Sequence, residues 1–126
     1  ARKVRDGADN MLQLVAKHKV ETFAGADLWQ EGVITKTPED MVLRKRWFKD
    51  VEILRQNTSY AAKWLAKSGT KNPSRDGPLG VIEEGAYADM LLVEGNPVED
   101  VSILADWQNN IRLIMKSGEI YKNTIN

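Results

Sequence analysis

The first 18 residues carry apolar side chains three or four positions apart: Val4, Ala8, Met11, Leu12, Val15 and Ala16. Charged and amide residues fill the positions between them, so this spacing predicts an amphipathic helix over residues 1–18. Residues 20–24 predict a short strand that ends at a turn formed by Gly25-Ala26-Asp27. A helix, a tight turn, a strand and an acidic residue at the strand's end form the repeating unit of a (β/α) barrel.

The middle of the chain is predicted to be helical. Thr37-Pro38-Glu39-Asp40 offers an N-cap threonine, a proline at the first helical position and acids in the first turn. The basic run Arg44-Lys45-Arg46 predicts a solvated face of this helix, and the acids around the run cancel its field. The pattern continues through residues 48–56. Asn57-Thr58-Ser59 interrupts it, and Thr58 or Ser59 is the predicted cap of a further helix. Residues 68–78, rich in Gly, Pro, Ser and Asn, predict a linker.

The remainder of the chain is predicted to be rich in β structure. Gly80 and Gly85 mark turns, because only glycine adopts positive φ without steric cost. Residues 88–94 predict a short buried strand, in which Met90, Leu91, Leu92 and Val93 form an apolar run between turn signals. Asp100 or Ser102 predicts the cap of a short helical turn that follows.

Composition narrows the class of protein. The 126 residues make one ordinary domain or part of a larger one, and 18 basic against 18 acidic residues argue against a nucleic-acid-binding surface. The absence of cysteine from the sequence excludes a disulfide framework, a thiolate metal site and a cysteine nucleophile. Because no apolar run approaches ~18 residues, we expect no membrane span. No secretory signal is visible, and the compartment, cytoplasmic or periplasmic, stays open. The first residue, Ala1, fits a processed, cleaved or truncated chain.

The segment from Leu79 to Asp100 carries a fixed pattern. It reads Leu-Gly-x-Ile-x-x-Gly-x-x-Ala-Asp over residues 79–89 and Asn-Pro-x-x-Asp over residues 96–100. This pattern resembles the C-terminal signature of the amidohydrolase superfamily, the metal-dependent hydrolases that include imidazolonepropionase-like and prolidase-like enzymes. Residues 111–121 resemble the closing hairpin of that family, and residues 23–27 resemble its last barrel strand.

The resemblance implies an α/β fold in two parts. Residues 1–78 would be the C-terminal remnant of the hydrolase barrel, with the last αβ unit and helices of an incomplete (β/α)8 TIM-type barrel. Residues 79–126 would be a β-rich segment that supplies strands to the flanking C-terminal β-sandwich domain.

Asp27 is the residue to which the resemblance assigns chemistry. In the family, the aspartate that ends the last barrel strand lies beside a catalytic divalent metal. It ligates the metal, accepts a proton from the metal-bound water, or does both. A metal lowers the pKa of that water, and a nearby carboxylate takes the proton as hydroxide attacks a carbonyl. Spacing alone favours an ordinary turn aspartate, and Ala26 stands where the family usually has Ser or Thr. Trp29 is either a wall of the substrate pocket or a packed loop aromatic.

The other metal ligands of the family have no counterpart in this sequence. The family uses a His-x-His pair on its first barrel strand and further histidines on middle strands, whereas this chain has one histidine, His18. His18 precedes the predicted strand, which favours a surface histidine at a helix end, and catalytic zinc generally has three protein ligands. We therefore expect Zn²⁺ in the intact parent enzyme, and neither tightly bound metal nor turnover in this chain alone.

Two classes of function stay open. In the first, the chain is part of a hydrolase that acts on an amide or other C–N bond, with a dipeptide or a cyclic amide as substrate. In the second, it is a non-catalytic structural or interaction domain derived from the same fold. A lone barrel strand has two unpaired edges, and its helices leave an apolar face uncovered. We therefore expect self-association, by strand exchange or a helix-mediated dimer, or pairing with the missing N-terminal portion.

Overall fold

The computed structural model describes residues 2–25 and 36–125. Its α-helices are α1 (Arg2–Lys17), α2 (Thr37–Leu43), α3 (Asp50–Asn57), α4 (Ser59–Ala66) and α5 (Trp107–Asn110). Short 3₁₀ helices span Arg44–Arg46, Gly69–Lys71 and Val101–Asp106. The strands β1 (Met90–Val93), β2 (Ile111–Lys116) and β3 (Glu119–Asn123) form one antiparallel sheet in the order β1-β2-β3.

The helix predicted at the start of the chain is confirmed as α1. The next helix, α2, begins at Thr37, so Lys36 occupies the N-cap position that the sequence assigned to Thr37. Pro38 lies in the first turn, where the missing N–H of proline costs nothing. The helix ends at Leu43, because the backbone then tightens into a 3₁₀ turn in which the Trp47 N–H donates to the Arg44 carbonyl.

Two side chains at the junction between α3 and α4 form hydrogen bonds to backbone carbonyls of α3. Thr58 is the N-cap residue of α4, as predicted, but its hydroxyl donates to the Leu54 carbonyl at 2.8 Å. The Asn57 amide likewise donates to the Ile53 carbonyl at 2.8 Å. Both side chains therefore donate to carbonyl groups in the last turns of α3, and the Leu54 carbonyl is one of the last four, which lack a partner within a helix.

The predicted closing hairpin is confirmed as β2 and β3. Its turn residues, Ser117 and Gly118, have φ values of 50° and 82°. Two successive positive φ angles are typical of the turn that suits the twist of a two-residue hairpin. The carboxylate of Asp89 accepts the Ser117 N–H at 2.7 Å, so the residue before β1 is tied to this turn.

The core lies between α3 and the 3₁₀ helix Val101–Asp106, which precedes β2 in the chain. Ile53 on α3 packs with Val101 and Leu104 of the 3₁₀ helix, and partly buried residues such as Phe48 and Val93 surround them. These residues come from both sides of position 78. The division of the chain into 1–78 and 79–126 stays a prediction.

Each residue of the basic run Arg44–Arg46 has an acidic partner: Arg44–Asp40, Lys45–Asp100 and Arg46–Asp9. Lys45 Nζ lies 2.6 Å from Asp100 Oδ1 and 3.2 Å from Asp50 Oδ2. Asp100 also accepts the Ser102 N–H, which makes it the cap of the 3₁₀ helix. The hydrogen bond from Lys45 and the N–H of Ser102 lower the pKa of Asp100 to about 2. The same contact with Asp100 raises the pKa of Lys45.

Two predictions about strands are wrong. Residues 20–25 have no regular secondary structure, because a strand needs a ladder of partners and Ala24 instead donates its N–H to the Gln56 carbonyl on α3. β1 is formed as predicted but is not buried: Leu91 is 54% exposed and Leu92 is 50% exposed. Side chains of a strand project from the two faces of the sheet, and the described residues leave those of Leu91 and Leu92 about half uncovered.

The described residues thus form a mixed fold of helices and a small antiparallel three-stranded sheet. The incomplete (β/α)8 barrel and the β-sandwich stay predictions from the resemblance. Within residues 2–25 and 36–125, no helix has both the length and the apolar character needed to cross a membrane.

Candidate functional site

The two residues that the sequence predicts for the site, Asp27 and Trp29, lie outside the described residues. Their roles as metal or catalytic residue and as substrate contact stay predictions. The structure does describe residues 20–25, which lead to Asp27, and the helices against which they pack. The contacts of residues 20–25 therefore show how the segment before Asp27 is held against the helices.

Three contacts hold residues 20–25 against α3 and α4. The Ala24 N–H donates to the Gln56 carbonyl at 3.0 Å. The ring of Phe23 lies against Trp64, with centroids 5.4 Å apart and an interplanar angle of 42°, a tilted aromatic pair. Glu21 pairs with Lys63 at 3.1 Å, but both side chains are exposed, so this ion pair stabilises the segment little.

Gln56 is the buried centre of this support. Its side chain is fully buried, and its Oε1 accepts a hydrogen bond from Arg44 Nη1 at 3.1 Å. Arg44 is in turn held by Asp40, with its Nε 3.2 Å from Asp40 Oδ2. The Gln56 carbonyl accepts the Ala24 N–H. The side chain of the same residue is held by Arg44, which directly follows α2.

The Nε2 of Gln56 is the one buried side-chain nitrogen or oxygen in the described part of the chain that lacks a hydrogen-bond partner. An unsatisfied buried donor costs about 1–3 kcal/mol. The unpaired amide of Gln56 therefore destabilises the fold, and an apolar side chain of similar size at position 56 would not carry this cost.

The described residues do not hold a metal site. Within residues 2–25 and 36–125, no group of three or more His, Cys, Asp or Glu side chains is placed to bind a metal ion. His18 is exposed just after α1, and its backbone N–H donates to the Leu14 carbonyl. This is the surface position at a helix end that the sequence predicts for it.

Sequence reasoning missed Gln56 and Arg44. The spacing of Asp40 and Arg44, four residues apart on a helix, is a signal for their ion pair. No local signal links Arg44 to Gln56 or Gln56 to Ala24, because both contacts depend on how separate segments pack.

The comparisons with known proteins rest on structure. No protein-family model matches the sequence, and no curated protein matches it. Solved structures do match. A crystal structure of an amidohydrolase superposes with a TM-score of 0.77 and 25% sequence identity, over 93% of this chain and 26% of that chain.

Two structures of one further protein match as well. One is described as an uncharacterized protein and the other as a prolidase complexed with N-methylphosphonate-L-proline. Each has a TM-score of 0.73 and 28% identity, over 91% of this chain and 26% of that chain. The chain thus spans about a quarter of the length of the solved structures it resembles. Its fold is consistent with a fragment of an amidohydrolase fold, and these neighbours support the amidohydrolase superfamily for it.

Proposed function

We propose that this chain supplies the C-terminal portion of an amidohydrolase-like, metal-dependent hydrolase that acts on amide or other C–N bonds. The observation that carries this proposal is the superposition of 93% of the chain on 26% of an amidohydrolase at a TM-score of 0.77. The pattern over residues 79–100 supports the C-terminal position, because it resembles the signature at that end of the family.

The proposed substrate is a dipeptide or a cyclic amide. One structural neighbour is a prolidase complexed with N-methylphosphonate-L-proline. A substrate with a C–N bond next to a compact apolar group would suit an indole wall, which is the role proposed for Trp29. The domain division proposed with this function places the barrel remnant in residues 1–78 and the β-sandwich segment in residues 79–126.

Asp27 is the proposed catalytic carboxylate. It follows Ala24 by three residues, and the contacts of Ala24 with Gln56 and of Phe23 with Trp64 support a fixed start for this segment. A carboxylate can accept a proton from a water molecule that attacks a carbonyl carbon, provided that it lies within hydrogen-bonding reach.

Zn²⁺ is the proposed metal of the intact enzyme, but the donors of this chain alone do not fit a zinc site. The sequence has one histidine and no cysteine, and that histidine is exposed just after α1. The described residues also lack a cluster of three metal-binding side chains. The remaining ligands would have to come from polypeptide other than these 126 residues.

The alternative function is a non-catalytic, self-associating domain derived from the same fold. The specific observation that favours it is the small core: among the described residues, four apolar side chains are buried, Ile53, Val101, Leu104 and Ile111. Large apolar side chains are exposed on α1, on α4 and on the strands β1 and β3. Exposed apolar surface of this kind is typical of sites that bind another protein.

The deciding experiment begins with the coding sequence upstream of Ala1. We expect it to encode a His-x-His pair after a predicted strand, and we expect the longer protein to bind zinc and hydrolyse dipeptides. Asp27→Asn in that protein should lower kcat by about 10²- to 10⁴-fold. Asp106→Asn is the matched control, because Asp106 is exposed and bonds only to Asn109 among the contacts described.

Two results would contradict the proposal. The first is stoichiometric zinc with dipeptide turnover in the 126-residue chain alone, which would show that no further portion is needed. The second is a longer protein without metal or hydrolase activity, which would leave the non-catalytic domain as the better explanation. Metal content by mass spectrometry and a chromogenic or coupled peptidase assay provide both measurements.

A further inference from the structure

Residues 20–25 meet α3 at its C-terminal end. The last four carbonyls of a helix have no partner within that helix, and in α3 the Gln56 carbonyl is one of them. It accepts the Ala24 N–H at 3.0 Å, so residues 20–25 supply the partner that the helix itself lacks. The ends of a helix open more readily than its interior. The placement of residues 20–25 therefore depends on how firmly the last turn of α3 is held.

The side chain of Gln56 links this last turn to Arg44. Its Oε1 accepts a hydrogen bond from Arg44 Nη1 at 3.1 Å, and Arg44 Nε lies 3.2 Å from Asp40 Oδ2. The Arg44 side chain is only 15% exposed, so solvent competes little for these contacts. Because Arg44 is itself paired with a carboxylate, it offers the Gln56 oxygen a charged donor that is held in place.

The amide of Gln56 contributes little net stability. Its Oε1 has a charged donor, but its Nε2 is buried without a partner. A hydrogen bond to a charged group stabilises a fold by about as much as a buried unpaired donor destabilises it. A methionine of similar size would lose the first effect and would be free of the second. The hydrogen bond between Gln56 and Arg44 therefore fixes geometry without adding to the total stability.

We propose that Gln56 is a positioning residue for the reaction of the intact hydrolase. Its amide, bound to Arg44, fixes the last turn of α3, and the carbonyl in that turn holds Ala24 and the segment that leads to Asp27. The role rests on the proposed function, in which Asp27 is the catalytic carboxylate. Since the Gln56 side chain is fully buried, it acts through the placement of residues 20–25 and not by contact with a substrate.

The first measurement concerns the contact itself and uses the 126-residue chain. Hydrogen exchange of the Ala24 N–H, followed by NMR, reports how firmly it binds the Gln56 carbonyl. Gln56→Met should accelerate this exchange about 10-fold, the effect of one lost hydrogen bond. The N–H of Ile53, which donates to the Lys49 carbonyl at the start of α3, should exchange as in the unmodified chain. The midpoint of urea unfolding should also stay the same, because the two effects of the amide offset each other.

Gln56→Glu is the conservative variant. It keeps an acceptor for Arg44 and removes the unpaired donor, so the Ala24 N–H should exchange within about 3-fold of the unmodified rate. A residue that only fills space would give the opposite order, because a buried carboxylate is less favourable than a methionine of similar size. If Gln56→Met loses the protection of Ile53, Arg44→Met removes the same hydrogen bond with Gln56 in place and should accelerate the Ala24 exchange.

The second measurement uses the longer protein in which hydrolysis is expected. Gln56→Met should lower kcat about 10- to 100-fold and leave KM within about 3-fold, because it displaces the catalytic carboxylate and leaves the substrate contacts unchanged. Gln56→Glu should restore most of the lost kcat. Gln108→Met makes the same change at an exposed glutamine of α5 and should alter neither constant.

The two measurements separate this role from the proposed function. A longer protein without hydrolase activity would refute the function, whereas the exchange of the Ala24 N–H would still test the contact that Gln56 makes. Unchanged Ala24 exchange in Gln56→Met and in Arg44→Met would refute the positioning role even in an active hydrolase. The role would also be refuted if Gln56→Glu lost as much kcat as Gln56→Met, since that result indicates packing alone.

Discussion

Gly80 brings the β-rich end of the chain against the backbone of the helices, and its substitution by alanine tests that contact. Its φ is +68°, a left-handed conformation that glycine adopts freely. A Cβ built at this position would lie 2.5 Å from the carbonyl carbon of Thr58 and 2.6 Å from its oxygen. Both are backbone atoms at the α3–α4 junction, so no flexible side chain can move aside.

The expected cost has two parts. A left-handed conformation costs an L-residue about 1–2 kcal/mol. Inserting a methyl group where the backbone must shift costs about 1–3 kcal/mol more. Gly80→Ala should therefore lower the free energy of unfolding by about 2–5 kcal/mol, a large part of the total for a small domain.

Gly85→Ala is the matched control. Gly85 has a φ of +82°, but a Cβ at that position would meet no heavy atom within 4 Å. It should cost only the conformational part, about 1–2 kcal/mol. Urea unfolding followed by the fluorescence of the four tryptophans gives both values in one assay. If the two variants agree within about 0.5 kcal/mol, the close approach of Gly80 to Thr58 does not govern stability and the reasoning fails.

Two further predictions concern the core and the ion pairs beside it. Ile53→Ala should destabilise the fold by about 2–5 kcal/mol, whereas Leu14→Ala on the exposed face of α1 should cost less than about 1 kcal/mol; equal effects in thermal or urea unfolding would refute the assigned core. Asp100 has its pKa lowered from 3.8 to about 2, so its ionised form stabilises the fold above pH 4 and that contribution is lost as the pH falls towards 2. In Lys45→Met the pKa of Asp100, followed by NMR, should rise towards 3.8 and the acid loss of stability should shrink; an unchanged titration would contradict the role of Lys45.

Elements with local signals could be predicted from the sequence. The spacing of apolar residues predicted α1, whereas the hairpin of β2 and β3 was predicted from the resemblance of residues 111–121 to a family's closing hairpin. Asp100 caps a short helix because its carboxylate reaches an N–H only two residues ahead. Such signals depend on a few neighbouring residues, so no knowledge of the remaining fold is needed.

Features that depend on distant partners could not be predicted in the same way. Residues 20–24 have the composition of a strand, but their backbone bonds to the helix α3 at Gln56. β1 has the apolar run of a buried strand, yet Leu91 and Leu92 are about half exposed, so the described residues do not cover these side chains on the faces of the sheet. In both cases the sequence indicates what the segment would do beside partners that the described residues do not supply.

The candidate site shows the same division. The position of Asp27 was inferred from a resemblance, since an aspartate after a short apolar segment is common in turns. The contact between Arg44 and Gln56 joins residues twelve positions apart on different helices. A buried glutamine on a helix carries no local sign of its partner, so only the packed structure could assign it to the support of residues 20–25.

The pattern over residues 79–100 is the most specific one in the sequence, and the contacts of its residues are structural. Gly80 lies against Thr58, Asp89 accepts the Ser117 N–H, Asn96 accepts the Val98 N–H, and Asp100 binds Lys45. These four positions of the pattern therefore hold the β-rich end to the helices or close a turn. A pattern under geometric constraint of this kind retains its spacing whether or not the polypeptide catalyses a reaction. It follows that residues 79–100 report the fold, and that a test of catalysis must address Asp27 in a protein that contains the remaining ligands.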